Sequence, residues 1–594
     1  MRKNSLLHNL SRLLKYLPQR RRWQLLMMLG LGVATSMSEV VSLGALLPFL
    51  GVLSNPEGVM EQPYIAIVMD AMKITSPEQL LTWLTLGLIL AVVVANGIKL
   101  ITLWFQSRLI AAIAHDLSVG CYRANILQPY EFYLKNNSSQ LIVESTEYID
   151  RTVGLVYTSL NFVLYFLMLT FIIFGLLLMN LPVTLGVIMI GVTMILPVIQ
   201  FSKYRLTKNG SQIVEHSQKR IKIIQESIGG IRDISLDGTQ PLFIRKYHES
   251  DWILRRLHAD NQLLASVNRP YMEAIAISGI ALLALFMLKT ESNFLQILPV
   301  LGTLVLGLNR LLPSLQQCYG CWAWIKSNYA CLRQTLATLE RPIPQYYLET
   351  QDQPLGLNKE LQLENIWFRY SATLDWVLKN VSLTIPVNQT IGFFGGSGCG
   401  KSTTADLILG LMQPQKGRLL VDGVSINDEQ QRRAWQKSIA NVPQNIYLSD
   451  TSIAENIAFG VEPSEIDMEK VKESAVLAQI DTFIEKLPNG YGEFVGERGI
   501  RLSGGQRQRI GIARALYKGA SLIIFDEATS ALDNETEQEV MAAIYNLRER
   551  LTIIIIAHRL STLRHCSQVF EFKDGEILYQ GSGENLTQRM FGKY

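Results

Sequence analysis

The sequence predicts two unlike parts in one chain: a domain of long transmembrane α-helices, followed by an α/β domain that binds phosphate. Three observations carry this. Long apolar stretches recur through the first 316 residues, each able to cross a bilayer with some tilt. Gly395-Gly396-Ser397-Gly398-Cys399-Gly400-Lys401-Ser402 fits G-x-x-x-x-G-K-[ST]; it follows an apolar run at 391–394 and opens a helical run at 403–411, the context this phosphate loop requires. Ser521-Leu522-Ile523-Ile524-Phe525 reads as a buried strand ending in two carboxylates, Asp526-Glu527. Such an ending is costly unless a cation or a reaction uses it.

Composition agrees. A chain of 594 residues should hold more than one domain. Hydrophobic residues make up 48% and charged residues only 18%, which suits a membrane protein. The net charge of +4 is too small to argue for a nucleic-acid partner. The six cysteines are scattered, so no disulfide framework is expected. Cys318 and Cys321 form a C-x-x-C without a second pair or a His cluster, and read as helix-face cysteines.

Residues 1–22 form a basic amphipathic segment: the first 38 residues contain no acid, while Arg2, Lys3, Arg12, Lys15 and Arg20-Arg21-Arg22 are basic. Its leucines have helical spacing, so it should lie along the membrane surface on the cytoplasmic side. The membrane domain follows at 23–338, with six helices at about 23–53, 79–106, 153–180, 182–203, 267–289 and 294–316. The stretch 23–53 is too long for a signal-peptide core and is read as a retained helix. Asn180-Leu181-Pro182 is a tight break between long apolar runs. The stretches 107–152 and 204–266 are polar and helical in pattern, too long for ordinary loops, and the second is rich in Lys and Arg. The opposite segments, 54–78 and 290–293, carry net acid. Charge and count agree on both termini in the cytoplasm. In the first outer loop, Tyr64, Ile65, Val68, Met69 and Met72 share one helix face. They read either as a short amphipathic helix at the outer surface or as a simple packed loop helix. A linker with Pro342, Pro344 and Pro354 spans 339–358. The α/β domain occupies 359–594, with early strands at 361–368 and 376–385 and a hairpin turn at Lys573-Asp574-Gly575-Glu576.

The chemistry of that domain follows from its motifs. Backbone amides of Gly395, Gly396, Ser397, Gly398, Cys399 and Gly400 close around phosphate oxygens, Lys401 reaches the β/γ-phosphates, and Ser402 ligates Mg²⁺. Asp526 holds Mg²⁺ through its water shell, and Glu527 is placed to act as general base on a water. Leu502-Ser503-Gly504-Gly505-Gln506 is a small polar turn before a basic amphipathic helix, a backbone arrangement suited to an anion.

A phosphate loop, then LSGGQ, then an apolar strand ending Asp-Glu, in that order, resembles an ATP-binding-cassette (ABC) transporter, here a half-exporter with the type I exporter (type IV ABC) fold. The resemblance covers nearly the whole chain. It implies that Tyr370 stacks on adenine and that Gln444 senses the γ-phosphate, joins the metal site and contacts the membrane domain. It implies that Gly496-Glu497-Arg498-Gly499 is the cross-linking loop and that Ser530-Ala531-Leu532-Asp533 is the D-loop. His558 is then the switch histidine on the γ-phosphate, and Thr403 completes the nucleotide contacts. Coupling helices are implied near 128–133 and 236–243, on helices that extend into the cytoplasm. ATP would be sandwiched between the phosphate loop of one chain and Ser503, Gly504, Gly505 and Gln506 of another. Every catalytic position is filled, so a homodimer with two competent sites is the simplest arrangement; a heterodimer with a degenerate partner is the alternative.

Lys99, Arg269, Arg310 and Glu39 fall in or near the expected spans, where a charge is costly unless it faces a wet interior or a partner. Two readings stand: three cations lining a cavity for an anionic substrate, or structural pairing and snorkelling, with Glu273 one turn from Arg269. Short segments in the first helix (38–49), the sixth (308–314) and the cassette (444–448) resemble bacterial flippases of lipid-linked oligosaccharides and polysaccharide exporters. The expected function is ATP-driven export or flipping of an anionic, lipid-linked glycan across a bacterial cytoplasmic membrane. Phospholipid, lipid A or multidrug export is the alternative, and an ATP-gated regulator or channel a third.

Overall fold

A computed structural model describes residues 6–45, 49, 76–179, 181–290, 294–344, 353–526, 541, 544, 551–557 and 559–591. The outer loop at 54–75 and residues 345–352 of the linker lie outside the described residues. The chain divides into two compact units, Met1–Gln128 with Lys135–Ile343, and Pro344–Tyr594 with the short insert Pro129–Leu134.

The first unit is helical. α1 (Leu6–Tyr16) turns Leu13 into a core and leaves Leu7 exposed, the amphipathic division its spacing predicts. α2 (Gln19–Gly44) packs along α3 (Pro77–Ile126). α3 starts on Ser76, whose side chain accepts from the Gln79 N–H at 3.3 Å, with Pro77 just inside. The short α4 (Tyr130–Lys135) carries the insert that belongs to the second unit; α5 (Ser138–Ser145) then leads into α6 (Glu147–Met179) and α7 (Leu181–Gly229). α8 (Ile231–Leu236), α9 (Gln240–Ser266), α10 (Asn268–Thr290) and α11 (Phe294–Leu339) complete it. α3, α7 and α11 therefore run on past the apolar stretches as helices of 50, 49 and 46 residues. By length and composition, two stretches among the described residues qualify as membrane spans, Glu78–Ile126 and Ser138–Phe174. Of the other four expected spans, 23–53 includes residues outside the described set, and 182–203, 267–289 and 294–316 include residues whose side chains lie outside it.

α6 packs most extensively against α11, fastened by Thr152 and Thr335 hydroxyls 2.8 Å apart. Gly210 lets α7 approach α11 closely: a Cβ there would stand 2.3 Å from the Ser327 carbonyl oxygen. Glu147 of α6 accepts from Arg151 at 3.0 Å and from Ser217 of α7 at 2.9 Å, and Arg220 of α7 lies 3.5 Å from both Glu147 and Asp251 of α9. A shared charge cluster thus ties three helices together. Cys318 and Cys321 are buried free thiols on α11.

The second unit holds two sheets. β1 (Glu360–Phe368), β2 (Leu378–Pro386), β4 (Lys416–Val421) and β5 (Val424–Ser425) form an antiparallel sheet in the order β2-β1-β4-β5. β3 (Thr390–Gly395), β6 (Ile439–Val442), β7 (Leu522–Asp526), β8 (Thr552–Ile556), β9 (Gln568–Lys573) and β10 (Glu576–Gly581) form the other, in the order β10-β9-β3-β8-β7-β6. All its pairings are parallel except the β9–β10 hairpin. That hairpin turns on Asp574 and Gly575, both with positive φ. β8 is buried throughout and β7 up to Phe525, as expected of parallel strands covered on both faces.

Candidate nucleotide site

The site grows from the C-terminal edge of the parallel sheet, where open α/β sheets place ligands. β3 delivers Gly395 to that edge, and the chain turns through 396–400 into α12 (Lys401–Ile408). The turn requires glycine: Gly395 and Gly400 have φ of 147° and 107°, and a Cβ on Gly395 would meet the Phe572 carbonyl oxygen at 2.3 Å. Lys401 is buried, and its ammonium donates to the carbonyls of Gly395 at 2.9 Å and Gly396 at 2.8 Å, with Cys399 Sγ 3.7 Å away. The cation is thereby held under the loop whose amides would receive phosphate. Ser402 is exposed beside it. Thr403 is buried and shares a hydrogen bond of 3.0 Å with the Tyr370 hydroxyl. This ties the aromatic residue to the first turn of the phosphate-loop helix.

β6 and β7 run in parallel with Val442 opposite Phe525, so Gln444 and Asp526 leave the sheet at the same edge. The carboxyl of Asp406, in the second turn of α12, is pushed up to about 6 by burial and then by the charge of Asp526. Sequence reading passes over Asp406 as a polar residue in a helical run. Ser402, Gln444 and Asp526 offer hydroxyl, amide and carboxylate oxygens, the hard donor types that suit Mg²⁺. The close approach of two carboxylates gives such a cation electrostatic work to do.

Ser503 caps α17 (Gly504–Lys518), which follows the cassette helices α13 (Glu429–Ser438), α14 (Ile453–Ile457), α15 (Met468–Leu477) and α16 (Asp481–Ile484). Its hydroxyl accepts from the Gln506 N–H at 3.2 Å, and the Gln506 side chain accepts from the Ser503 N–H at 2.8 Å. This reciprocal capping box fixes the turn and leaves Ser503 and Gly504 exposed. Phosphate loop and LSGGQ turn rest on different cores. Leu378, Cys399, Ala405 and Leu407 belong to one, and Leu502, Ile510 and Ile512 to the other. Arg514, which sequence reading does not single out, donates to the carbonyls of Asn456 at 2.9 Å and Tyr447 at 3.0 Å. It joins the signature helix to the segment after Gln444. Glu527, Asp533 and His558 lie outside the described residues.

In the helical unit Lys99 donates to Glu39 at 2.7 Å, and Arg269 pairs with Glu273 at 3.0 Å. Arg310 falls within α11, with its side chain outside the described residues.

The fold and site define a P-loop ATPase cassette on a helical transport domain. The ABC transporter family model matches residues 378–530. The heterocyst differentiation ATP-binding protein HepA of Nostoc sp. is 31% identical over 470 residues, 77% of this chain and 74% of its own length. The ATP-dependent lipid A-core flippase of Pseudomonas syringae pv. tomato is 30% identical over 571 residues, 95% of this chain and 91% of its own length. A bacterial Atm1-family ABC exporter solved with ATP bound superposes with a TM-score of 0.77 at 21% identity, covering 96% of each chain. The chain belongs to the ABC transporter family. It binds ATP and couples its hydrolysis to transport across a membrane.

Proposed function

We propose that the protein is a homodimeric exporter or flippase in a bacterial cytoplasmic membrane, with cassette and termini in the cytoplasm, and that its cargo is an anionic lipid-linked glycan. The observation that carries the substrate class is the pairing of exposed cations with single carboxylates. The Lys99 side chain is 52% exposed beside Glu39, and that of Arg269 is 73% exposed beside Glu273. A cation with one carboxylate partner keeps N–H donors for an anionic headgroup. Thr35 with Thr102 at 2.8 Å and Gln106 with Asn161 at 2.8 Å are further polar contacts of α3, with Thr102 and Gln106 buried between helices. The likeness to lipid A-core flippases favours a second cargo, a lipid A-type glycolipid.

In this reading ATP sits on the Gly395–Gly400 amides and Lys401, with its base on Tyr370. Ser402, Gln444 and Asp526 would hold Mg²⁺, whose charge would supply neutralisation of the phosphate oxygens. Ser503 and Gly505 of the second copy cap the γ-phosphate. Glu527 takes the proton of the attacking water, and His558 contacts the γ-phosphate. ATP favours the closed dimer, and hydrolysis resets it.

The test is ATPase activity of the protein in proteoliposomes with polyprenyl-pyrophosphate oligosaccharide, lipid A and plain phospholipid. Selective stimulation by the pyrophosphate-linked glycan, weakened by Lys99→Ala or Arg269→Ala with basal ATPase retained, is expected. Stimulation by lipid A alone selects the second cargo. Loss of basal ATPase in both variants assigns these cations to structure.

A further inference from the structure

Tyr370 sits on a loop that should not hold still. The chain leaves β1 at Phe368 and returns at Val377, whose N–H donates to the Phe368 carbonyl at 2.8 Å. Residues 370–375 between them are all exposed. A loop with so little buried surface is ordinarily mobile, yet an aromatic platform for a purine has to be in place before the nucleotide arrives.

Three contacts hold it. Gln415, at the entry to β4, grips the backbone of Arg369 with both ends of its amide: it accepts from the Arg369 N–H at 2.9 Å and donates to the Arg369 carbonyl at 3.0 Å. The Gln415 N–H also donates to the Trp367 carbonyl at 3.0 Å. The Arg369 guanidinium lies 4.5 Å from the centre of the Trp376 ring, across the loop. Trp376 in turn meets Trp367 edge-on at 5.4 Å, and the Lys416 ammonium is 5.6 Å from both rings. Tyr370 is the next residue after Arg369, so both grips act one residue from the platform. Phe368 packs edge-on to the Tyr370 ring at 5.2 Å, and the Tyr370 hydroxyl reaches Thr403.

We propose that Gln415 and the Arg369–Trp376 stack are positioning residues for the nucleotide, holding Tyr370 where the adenine face lands. They touch no phosphate ligand, so their effect is confined to the base. The proposal rests on the reading of Tyr370 as the adenine platform.

The test uses the full chain in proteoliposomes. Trp376→Ala should raise KM for ATP about 2- to 30-fold, the span of a cation–π contact, and Gln415→Ala about 2- to 10-fold, that of a hydrogen bond, with kcat at saturating ATP unchanged. Inhibition by inorganic tripolyphosphate, which has no base, should not change. Arg369→Lys and Trp376→Phe, which keep cation and ring, should restore most of the affinity. In a Tyr370→Ala background, Trp376→Ala should add nothing further, because its target is gone. An unchanged KM in both single variants, an additive effect in the Tyr370→Ala background, or equal weakening of tripolyphosphate would each overturn the proposal. If Tyr370→Ala alone left KM unchanged, the platform reading beneath it would be the one to fall.

Discussion

Two ion pairs at adjacent residues, Glu340 and Arg341, allow a sharp comparison. Arg341 pairs with Glu144 of α5 at 2.8 Å, and the Glu144 side chain is 2% exposed. Gln140 donates to the other Glu144 oxygen at 2.8 Å, and Arg341 also donates to Asn125. Glu340 pairs with Arg12 of α1, with side chains 31% and 34% exposed. Arg341→Ala leaves a buried carboxylate with one amide donor, a change that costs about 3–5 kcal/mol. Arg12→Ala removes an exposed pair worth about 0–1 kcal/mol. At roughly 2–3 °C per kcal/mol for a large chain, thermal unfolding of the detergent-solubilised protein should fall by roughly 6–15 °C for Arg341→Ala and by at most about 3 °C for Arg12→Ala. The double change Glu144→Gln with Arg341→Met removes both charges and should recover most of the loss. Equal shifts for the two single variants, or a double variant as unstable as Arg341→Ala, would refute the argument that burial sets the difference.

Other outcomes follow from the cassette. Arg514 is drawn down to about 10 by burial; Arg514→Ala strips charged hydrogen bonds worth about 1.5–3 kcal/mol each and should lower both melting temperature and ATPase, with Arg514→Lys intermediate. Gln506→Ala removes half of the capping box, whereas Ser503→Ala removes the cap and the proposed phosphate hydroxyl, so ATPase should fall further in the second at a similar loss of stability. Asp406 is raised from 3.8 to about 6, so the folded state binds more protons than the unfolded one between those values, and stability falls as pH rises through them. Asp406→Asn should therefore gain on wild type across that window and hold a constant lead above it, in unfolding measured without nucleotide or Mg²⁺; a difference flat in pH would refute the assignment.

The sheet and the phosphate loop were legible because their signals are local. β3, β7 and β8 are short apolar runs, and the glycine pattern ends the first of them. The sequence reading starts the second strand at Trp376. The structure starts it at Leu378 and turns Trp376 onto Arg369, a partner that strand propensity does not announce. The Glu144–Arg341 pair joins positions nearly 200 residues apart, beyond any periodicity. Asp406 looks like an ordinary helical carboxylate until the sheet brings Asp526 beside it. Pairing of Arg269 with Glu273 was readable because one helical turn separates them, whereas Lys99 with Glu39 required knowing which helices pack.

The most direct measurement is ATP-dependent movement of a polyprenyl-pyrophosphate oligosaccharide across proteoliposome membranes, wild type against Glu527→Gln. Movement in the wild type, lowered about 10²- to 10⁴-fold in the variant as loss of a general base predicts while ATP still binds, is the expected result. Movement at the same rate in both, or without ATP, would contradict hydrolysis-driven transport by this chain.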